Sequence, residues 1–499
     1  MRRIKKIGFI LGAIFFIALL LMGDFDPAKP QLNTMAAIAV LMATLWITES
    51  IPLAATSLIP LIFFPITGLL SAEEIASSYI NSIIFLFLGG FLIAIAMEEW
   101  QLHKRIALRI ILFFGGSPGS IIIGFMVSGA FLSMWISNTA TALMLLPIGL
   151  AVIQKLKAEF GEERSRNFAV PLLLSIAYAC SIGGVATLIG TPPNLVMVKM
   201  LKVIFPESPE ITFSNWIFLG LPVSLIMLAF VAILLTRVLY KFDRNVRLEK
   251  KFILDEYRKI GNLSFEEKAV STVFITTALL WIFRSNIVLG HLVIPGWSNL
   301  LPTSDFINDG TIAISMAFLL FLIPAKTTGK SLLDASAFNK VPWGIILLFG
   351  GGFALAKGFS STGLSDFIGY QLSGLSVIHP VLIILITALL VTFLTELTSN
   401  TALTQTILPI AASVSVTLGL NPLLLMFTTT ISASMAFMLP VATPPNTIIF
   451  AGGKIKTSDM AKTGLLLNII GAIIITISIY FLGDLVFGVN TFPDWAIKK

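Results

Sequence analysis

The sequence predicts an all-α polytopic membrane protein with about 11 transmembrane helices plus two re-entrant helical hairpins, in two inverted repeats. The first reason is composition, because 56% of the 499 residues are hydrophobic and only 12% are charged. That leaves too little polar surface to enclose a water-soluble core. The second reason is that apolar runs of about 20 residues, long enough to span a bilayer, recur along the chain. The third is a set of motifs that occurs twice in the same order.

In chain order, the predicted helical runs are bounded by hydrophobic periodicity and by Pro, Gly and charged loops. They span 7–22, 35–51, 53–70, 79–112, 117–150, 168–200, 213–240, 265–284, 310–325, 342–374, 379–412, 422–452 and 463–488. The first run has a basic start and an apolar centre but no clear small-residue cleavage site, so we expect a retained helix.

Basic residues are distributed unevenly between the loops. The stretches 1–6, 101–116, 151–167, 241–262, 326–341 and 453–463 contain 24 of the 33 Lys and Arg. If 117–150 and 379–412 are hairpins that do not cross, all these stretches lie on one side, which predicts a cytoplasmic N-terminus in the cell membrane. The basic residues do not form a separate face, so no nucleic-acid partner is expected.

Two motifs divide the chain into related halves. Ser-Asn-Thr occurs at 137–139 and 399–401, and Thr-Pro-Pro-Asn occurs at 191–194 and 443–446. Five predicted crossings, an odd number, separate the hairpins, so the halves should be inverted relative to each other. The predicted organisation is an N-terminal helix and loop (1–34), a first repeat (35–240), a charged cytoplasmic linker (241–262) and a second repeat (263–499).

Polar tripeptides inside apolar runs indicate hairpin tips near the membrane midplane, where irregular backbone must line a cavity or be buried. Their hydroxyls and amides can bind a carboxylate or a cation. Each Pro-Pro breaks a helix and frees carbonyl groups before it. These carbonyls belong to Gly190, Thr191, Ala442 and Thr443, and such oxygens suit sodium.

The stretches 117–153, 168–198 and 379–453 contain no Lys or Arg, and their only acid is Glu396. A bound dianion would lack a counter-charge there, which favours an anionic substrate carried with sodium. Glu396 has no acidic counterpart in the first repeat, and both a bracing hydrogen bond and proton coupling stay open. For Lys357, snorkelling is favoured over a role in the site. The glycine runs 89–90 and 350–352 predict close helix packing.

The chain resembles the divalent anion sodium symporter family, the sodium-coupled di- and tricarboxylate transporters. The resemblance covers nearly the whole chain. It rests on Thr-Glu-Ser-Ile-Pro at 48–52, Phe-Leu-Gly-Gly-Phe at 87–91, Leu-His-Lys-Arg at 102–105, and both pairs of repeated motifs.

The resemblance implies a homodimer in the lipid bilayer, in which a transport domain with both hairpins moves past a scaffold domain like an elevator. It implies a small dicarboxylate substrate and sodium that is co-transported rather than tightly bound. The implied substrate-binding residues are Asn138, Thr139, Thr191, Pro192, Asn400, Thr401, Thr443 and Pro444. The implied sodium ligands are Ser133, Ser137, Asn138 and Gly190 in one site, and Thr395, Ser399, Asn400 and Ala442 in the other.

The sequence therefore favours a sodium-coupled carrier of succinate, malate, fumarate or 2-oxoglutarate, and not an enzyme. A sodium-independent dicarboxylate exchanger stays open, because oxygen-lined tips fit both. An intramembrane hydrolase using Ser137 or Ser399 is disfavoured because no His or Lys lies near either serine in sequence. A channel is disfavoured because inverted repeats with broken helices favour alternating access.

Overall fold

The computed structural model describes residues 2–240, 251–289, 292–327 and 329–497. Within these ranges the chain is mostly helical, which confirms the predicted fold class. Seven segments are long and apolar enough to span a membrane. They are Gln31–Thr48, Ala72–Glu99, Asn138–Phe160, Ser165–Val185, Phe213–Val238, Trp343–Thr362 and Thr457–Phe487. The protein is therefore a multi-pass membrane protein, and the predicted total of about 11 crossings stays a prediction.

The described chain up to residue 240 contains twelve α-helices. They are α1 (Arg2–Leu21), α2 (Gln31–Thr48), α3 (Leu53–Thr56), α4 (Ile59–Ile66), α5 (Ala72–Tyr79), α6 (Ser82–Glu99), α7 (Leu102–Phe114), α8 (Pro118–Ser133), α9 (Asn138–Phe160), α10 (Glu162–Val185), α11 (Pro192–Ile204) and α12 (Phe213–Ile233). A π-helical turn, Leu234–Val238, continues α12.

The described chain after residue 250 contains eleven more helices. They are α13 (Lys251–Lys259), α14 (Phe265–Ile282), α15 (Asp309–Leu322), α16 (Ala337–Lys340), α17 (Trp343–Thr362), α18 (Leu364–Gln371), α19 (Pro380–Thr395), α20 (Asn400–Thr417), α21 (Pro422–Ala433), α22 (Pro444–Ala451) and α23 (Thr457–Phe487). Of the predicted linker, 241–250 lies outside the described residues and the rest includes α13.

A short antiparallel ribbon is the one sheet in the described ranges, and the sequence did not predict it. Strand β1 (Ile287–Leu289) pairs with β2 (Leu292–Ile294), with Ile287 opposite Ile294. Its three-residue strands are too short to alter the helical architecture.

The prediction of one continuous helix over 79–112 is wrong, because the chain forms the separate helices α6 and α7 there, and Tyr79 is the last residue of α5. The side chain of Asn81 accepts a hydrogen bond from the Ile83 amide at 3.1 Å and so starts α6. Gln101 has a φ of 56°, a left-handed conformation that ends the regular helix. The run 342–374 likewise divides at Gly363, whose φ is 78°.

Helix α10 is the centre of the larger bundle, where residues 168–185 are all buried. It packs against α8, α9, α12 and α22. A second hydrophobic cluster joins α2, α4, α5 and α17. The glycine runs permit close contacts, as predicted: a methyl group on Gly89 would lie 2.5 Å from the Ala313 carbonyl carbon, and one on Gly351 would lie 2.7 Å from Ser57 O.

Candidate functional site

The first hairpin, α8 and α9, turns at residues 134–137. Helix α9 begins at Asn138, and Ser137 caps it by accepting a hydrogen bond from the Ala140 amide at 3.2 Å. A serine in this position satisfies one of the free amides of the first helical turn. The predicted break at Ser-Asn-Thr is confirmed, and the N-terminal end of α9 lies at the tip, with Asn138 and Thr139 half-buried.

The second hairpin, α19 and α20, has the same construction. Helix α19 ends at Thr395 and α20 begins at Asn400, so the tip is 396–399. Thr395 Oγ1 lies 2.8 Å from Asn400 Oδ1 and 2.7 Å from Ala433 O. The Thr395 hydroxyl has a single hydrogen and can donate it to only one of these two oxygens at a time. At least one acceptor among the three oxygens is therefore free to bind another group.

Both Thr-Pro-Pro-Asn motifs interrupt helices, as predicted. The segment 186–191 separates α10 from α11, and 434–443 separates α21 from α22. Thr191 and Thr443 are buried and hold extended backbone just before each pair of prolines. Proline fits the first turn of a helix because no amide is needed there.

The asparagines that end these motifs brace the interruptions, a role that the sequence did not assign. Asn194 Nδ2 donates to Thr187 O at 2.7 Å and lies 3.2 Å from Gly184 O. Asn446 Nδ2 donates to Ala436 O and Leu439 O, each at 3.1 Å. The acceptors lie ten and seven residues before the asparagine in both halves. The available signal was the asparagine repeated at the same position of both motifs.

Oxygen atoms converge beside the first tip. A methyl group built on Gly190 would lie 2.9 Å from Ser133 O and 2.5 Å from Gly184 O, and one built on Gly184 would lie 2.8 Å from Asn138 Oδ1. Ser133, Asn138 and Gly190, three of the four predicted ligands of the first sodium site, are therefore neighbours. Gly184 was missed, because nothing in sequence distinguishes it from a packing glycine.

The first cluster has an acceptor without a partner. Asn138 Oδ1 is buried and has no hydrogen-bond partner within the described structure. A buried acceptor without a partner is costly, and carbonyl, amide and hydroxyl oxygens are the donor set of a hard monovalent cation. These residues therefore fit sodium.

The second predicted sodium site is partly assembled. Thr395 and Asn400 are joined by the hydrogen bond described above. Ser399 immediately precedes α20, and its side chain makes no capping bond there. Ala442 is buried in the interrupted segment, and its amide donates to Leu439 O at 3.2 Å. Thr401 is also buried, one residue beyond Asn400.

The two halves pack crosswise around these elements. Helix α11, which follows the first interruption, packs against α20 of the second hairpin, and α22 packs against α9 of the first. At the end of α22, a methyl group on Gly452 would lie 3.3 Å from Leu146 Cδ1 of α9. Each broken helix therefore contacts the hairpin of the other half.

Glu396 braces the second interruption. Its Oε1 accepts from the amides of Phe437 at 2.6 Å and Met438 at 2.8 Å, and its Oε2 accepts from Leu439 at 3.0 Å. Asn468 Nδ2 adds a fourth hydrogen bond at 2.8 Å. The sequence left open two roles for Glu396, a bracing hydrogen bond and proton coupling. These four hydrogen bonds are the contacts expected for the bracing role.

Lys357 does not point into the tips. Its Nζ donates to Glu74 O at 3.1 Å, at an exposed position beside α5. This is the snorkelling arrangement that the sequence favoured. Among the described residues, no group of three or more His, Cys, Asp or Glu could hold a metal ion.

A cavity of about 1170 Å³ lies away from the tips. It is bounded by residues 28–31, 204–207, 360–363 and the C-terminal segment, and includes none of the predicted substrate ligands. Its charged residues are Lys29, Glu207, Asp366 and Asp494, so acids outnumber bases. This cavity does not favour an anionic substrate.

A multi-pass helical chain with two interrupted hairpins and two broken helices belongs to the class of secondary membrane transporters. More specifically, the chain belongs to the family described as the sodium:sulfate symporter transmembrane region, which it matches over residues 4–489. The family is one of transporters, so the protein is a transporter and not an enzyme.

Two similar proteins are named sodium-dependent dicarboxylate transporter SdcS, from Staphylococcus saprophyticus and Staphylococcus aureus. Each is 42% identical over 501 aligned residues, which cover 99% of this chain and 94% of the relative. The resemblance found in the sequence is thereby confirmed.

Two solved structures share the fold. Neisseria gonorrhoeae MtrF, described as an antimetabolite efflux pump, has a TM-score of 0.58 at 12% identity over 94% of this chain and 98% of its own. The Alcanivorax borkumensis YdaH transporter has a TM-score of 0.54 at 11% identity over 84% of this chain and 88% of its own. At these identities, the similarity concerns the fold alone.

Proposed function

We propose that the protein is a secondary active transporter that moves small dicarboxylates together with sodium across the cell membrane. The observation that carries the proposal is the convergence of oxygens beside the first tip, where Asn138 Oδ1 has no hydrogen-bond partner within the described structure, in a part of the chain without Lys or Arg. Cations bound there supply the positive charge that a buried dianion requires. The names of the two staphylococcal relatives agree with this substrate class.

Substrate carboxylates are bound by the polar groups of both tips and both broken helices. Hydroxyls and amide groups donate to carboxylate oxygens, and the N-terminal ends of α9 and α20 favour negative charge. The substrate ligands are Asn138, Thr139, Thr191, Asn400, Thr401 and Thr443, with Pro192 and Pro444 keeping the backbone open. Succinate, malate, fumarate and 2-oxoglutarate have the required pair of carboxylates.

Transport takes place by an elevator movement of the hairpins and broken helices past a scaffold formed by the remaining helices. The matched asparagine contacts at 194 and 446 support an origin by duplication, and the positive-inside distribution supports a cytoplasmic N-terminus and inverted halves. The functional unit is a homodimer, as the family resemblance implies.

The test is uptake of labelled dicarboxylates by purified protein in proteoliposomes, with sodium or choline outside. Sodium-dependent uptake into vesicles without internal substrate is expected. An absolute need for internal dicarboxylate, with equal rates in sodium and choline, would establish the exchanger instead. Asn299→Ala, an exposed substitution far from the tips in sequence, serves as the control.

A further inference from the structure

We propose that the scaffold has two docking grooves, one around Gly90 of α6 and one around Gly352 of α17, which the moving elements occupy alternately. In the opposite transport state, Leu143 of the first hairpin docks beside Gly90, and Val441 of the second interruption docks beside Gly352. The proposal rests on the elevator movement of the proposed function and assigns the contacts that this movement exchanges.

The two grooves lie at equivalent positions of the two halves. Gly89 and Gly351, the first glycines of the two Gly-Gly-Phe motifs, are 262 residues apart, as are the two Ser-Asn-Thr tips. Gly89 packs against Ala313 of α15. Gly351 packs against Ser57, so both of these glycines make contacts within the scaffold. The next glycine of each motif instead faces a moving element.

The α17 groove holds α20, the second arm of the second hairpin. Gln405 is completely buried there, and its Nε2 donates to Leu348 O at 3.0 Å. A methyl group on Gly352 would overlap Gln405 Cδ, so the side chain fits only beside a glycine. Gln405 Oε1 is buried without a hydrogen-bond partner within the described structure. Because an unsatisfied acceptor is costly, the docked arm can be released at moderate cost.

The α6 groove holds a different moving element. Ile189 of the first interruption lies beside Gly90, and a methyl group on this glycine would be 3.6 Å from Ile189 Cδ1, an ordinary van der Waals distance. Leu143 of α9, the counterpart of Gln405, is 55% exposed. Val441, the counterpart of Ile189 in the second interruption, is 77% exposed. Each half therefore docks the moving residue whose counterpart the other half leaves exposed.

The same difference extends over a whole face of each hairpin arm. Ala140, Leu143 and Pro147 lie on one face of α9 and are half-buried or exposed, whereas the equivalent residues of α20 are all buried. Contacts among the moving elements are the same in both halves, because α9 packs against α10 and α22, and α20 packs against α21 and α11. Helix α20 also packs against α17, and α9 has no comparable packing against α6 in the described ranges. The asymmetry is therefore confined to the docking on the scaffold.

Inversion of the halves converts this asymmetry into two states. In the proposed topology the first hairpin enters from the cytoplasmic side, so its undocked face opens towards the cytoplasm. In the opposite state the halves exchange their contacts. Leu143 then replaces Ile189 beside Gly90, and Val441 replaces Gln405 in the α17 groove.

The two glycines are therefore required in different states. Alanine in place of Gly352 would overlap Gln405 and disfavour the state seen in the structure. Alanine in place of Gly90 fits beside Ile189 in this state but would overlap Leu143 in the opposite one. The same substitution at equivalent positions should thus shift the equilibrium in opposite directions.

The experiment measures the rate at which a hydrophilic maleimide labels single introduced cysteines in the purified full-length protein, in choline chloride without substrate. Ala402→Cys reports undocking of α20, since Ala402 is 2% exposed, and Val441→Cys reports docking of the second interruption. The native Cys180 is buried, so the protein without an introduced cysteine gives the background.

Gly352→Ala should raise the labelling rate of Ala402→Cys roughly fivefold or more, and Gly90→Ala should lower it by a similar factor. Val441→Cys should be labelled more slowly in the Gly352→Ala background than in the Gly90→Ala background. Gly119→Ala is the control, because a methyl group there meets nothing within 4 Å, and it should leave both rates unchanged.

If Gly352→Ala does not fold, Gln405→Ala provides the second test. Loss of the hydrogen bond to Leu348 O should raise the labelling rate of Ala402→Cys about threefold.

Changes in the same direction in Gly90→Ala and Gly352→Ala would overturn the proposal, since a purely structural role of the glycines does not depend on the state. Unchanged labelling in both variants would also overturn it. The labelling needs neither sodium nor dicarboxylate. A wild type without sodium-dependent uptake would therefore contradict the proposed function alone, while labelling still decides whether the grooves exchange their occupants.

Discussion

The hairpin tips and the two buried arginine clusters differ in whether their buried polar groups have hydrogen-bond partners. Arg105 forms two hydrogen bonds with Glu267, at 2.6 and 2.9 Å, and a third with Gly261 O at 3.0 Å. At the first tip, by contrast, Asn138 Oδ1 is buried without a partner in the described structure. The arginine cluster is complete without a ligand, whereas we propose that a cation completes the tip.

The second arginine cluster follows the same principle. Arg284 contacts Asp309 at 2.6 Å and Glu210 at 2.7 Å, and the other Asp309 oxygen accepts from Phe213 N at 2.9 Å. Satisfied ion pairs of this kind fix helix ends, whereas unsatisfied neutral oxygens leave room for an ion. The difference predicts that tip variants lose transport and cluster variants lose stability.

The largest effect on transport is expected from Asn138→Ala and Asn400→Ala. Each removes an amide that is assigned to both cation and substrate, so dicarboxylate uptake should fall roughly 100-fold, while the melting temperature in sodium-free choline chloride stays unchanged. Uptake in proteoliposomes and thermal denaturation of the same preparation check this. Near-normal uptake in both variants would contradict the assignment of the tips.

A smaller effect is expected from Gly184→Ala. The new methyl group would lie 2.8 Å from Asn138 Oδ1 and would displace the amide from the oxygen cluster. Sodium-dependent uptake should fall about tenfold, a cost of about 1.4 kcal/mol. Gly119→Ala is the control, because a methyl group there meets nothing within 4 Å. Equal uptake by the two variants would show that the cluster tolerates the displacement.

Arg105→Met should lower stability more than transport. It leaves the Glu267 carboxylate buried without its cation, which costs about 3 kcal/mol, while the double variant with Glu267→Leu should recover much of this. Melting temperatures measure both. Lys340→Ala, which removes the more exposed pair with Glu99, should cost about 1 kcal/mol or less. An Arg105→Met variant with the wild-type melting temperature would contradict the proposed difference between the arginine clusters and the tips.

The smallest effect concerns His103, at the start of α7 and outside the seven candidate spans. Burial lowers its pKa, Lys104 adds to this, and the contact with Met97 O opposes it. The unfolded chain therefore binds a proton more readily, so stability is present above pH 6.5, the ordinary pKa, and decreases as the pH falls below it. His103→Asn should weaken this decrease in melting temperature between pH 7 and pH 5. If the melting temperature of the variant decreases as much as that of the wild type, the decrease is caused by other titratable groups.

The features that the sequence predicted are those with a local cause. Ser-Asn-Thr interrupts an apolar run, and Pro-Pro prevents a continuous helix, so the positions of both tips and both breaks followed directly. The break at Gln101 did not, because the predicted run joined the apolar residues on both sides of the charged stretch 98–105, and only the left-handed backbone of Gln101 in the structure marks the break. The sequence also did not predict ion pairs between residues far apart in the chain, such as Arg105 and Glu267, which are separated by 162 residues.

The sequence predicted which residues form the two sets of ligands, but it did not predict how these residues are arranged in space. Gly184 approaches Asn138 only after α10 packs against α9, and periodicity carries no information about that contact. Glu396 was recognised as unusual, yet its partners at 437–439 depend on how the second interruption folds back. Long-range packing therefore supplied what local chemistry could not.

The most direct test of sodium binding at the tips is the melting temperature of the purified protein in sodium chloride and in choline chloride at equal ionic strength, without substrate. A ligand that binds only the folded state raises this temperature. We expect sodium to raise the wild-type value and Asn138→Ala to reduce the rise. Identical melting temperatures of the wild type in the two salts would contradict cation binding at the tips.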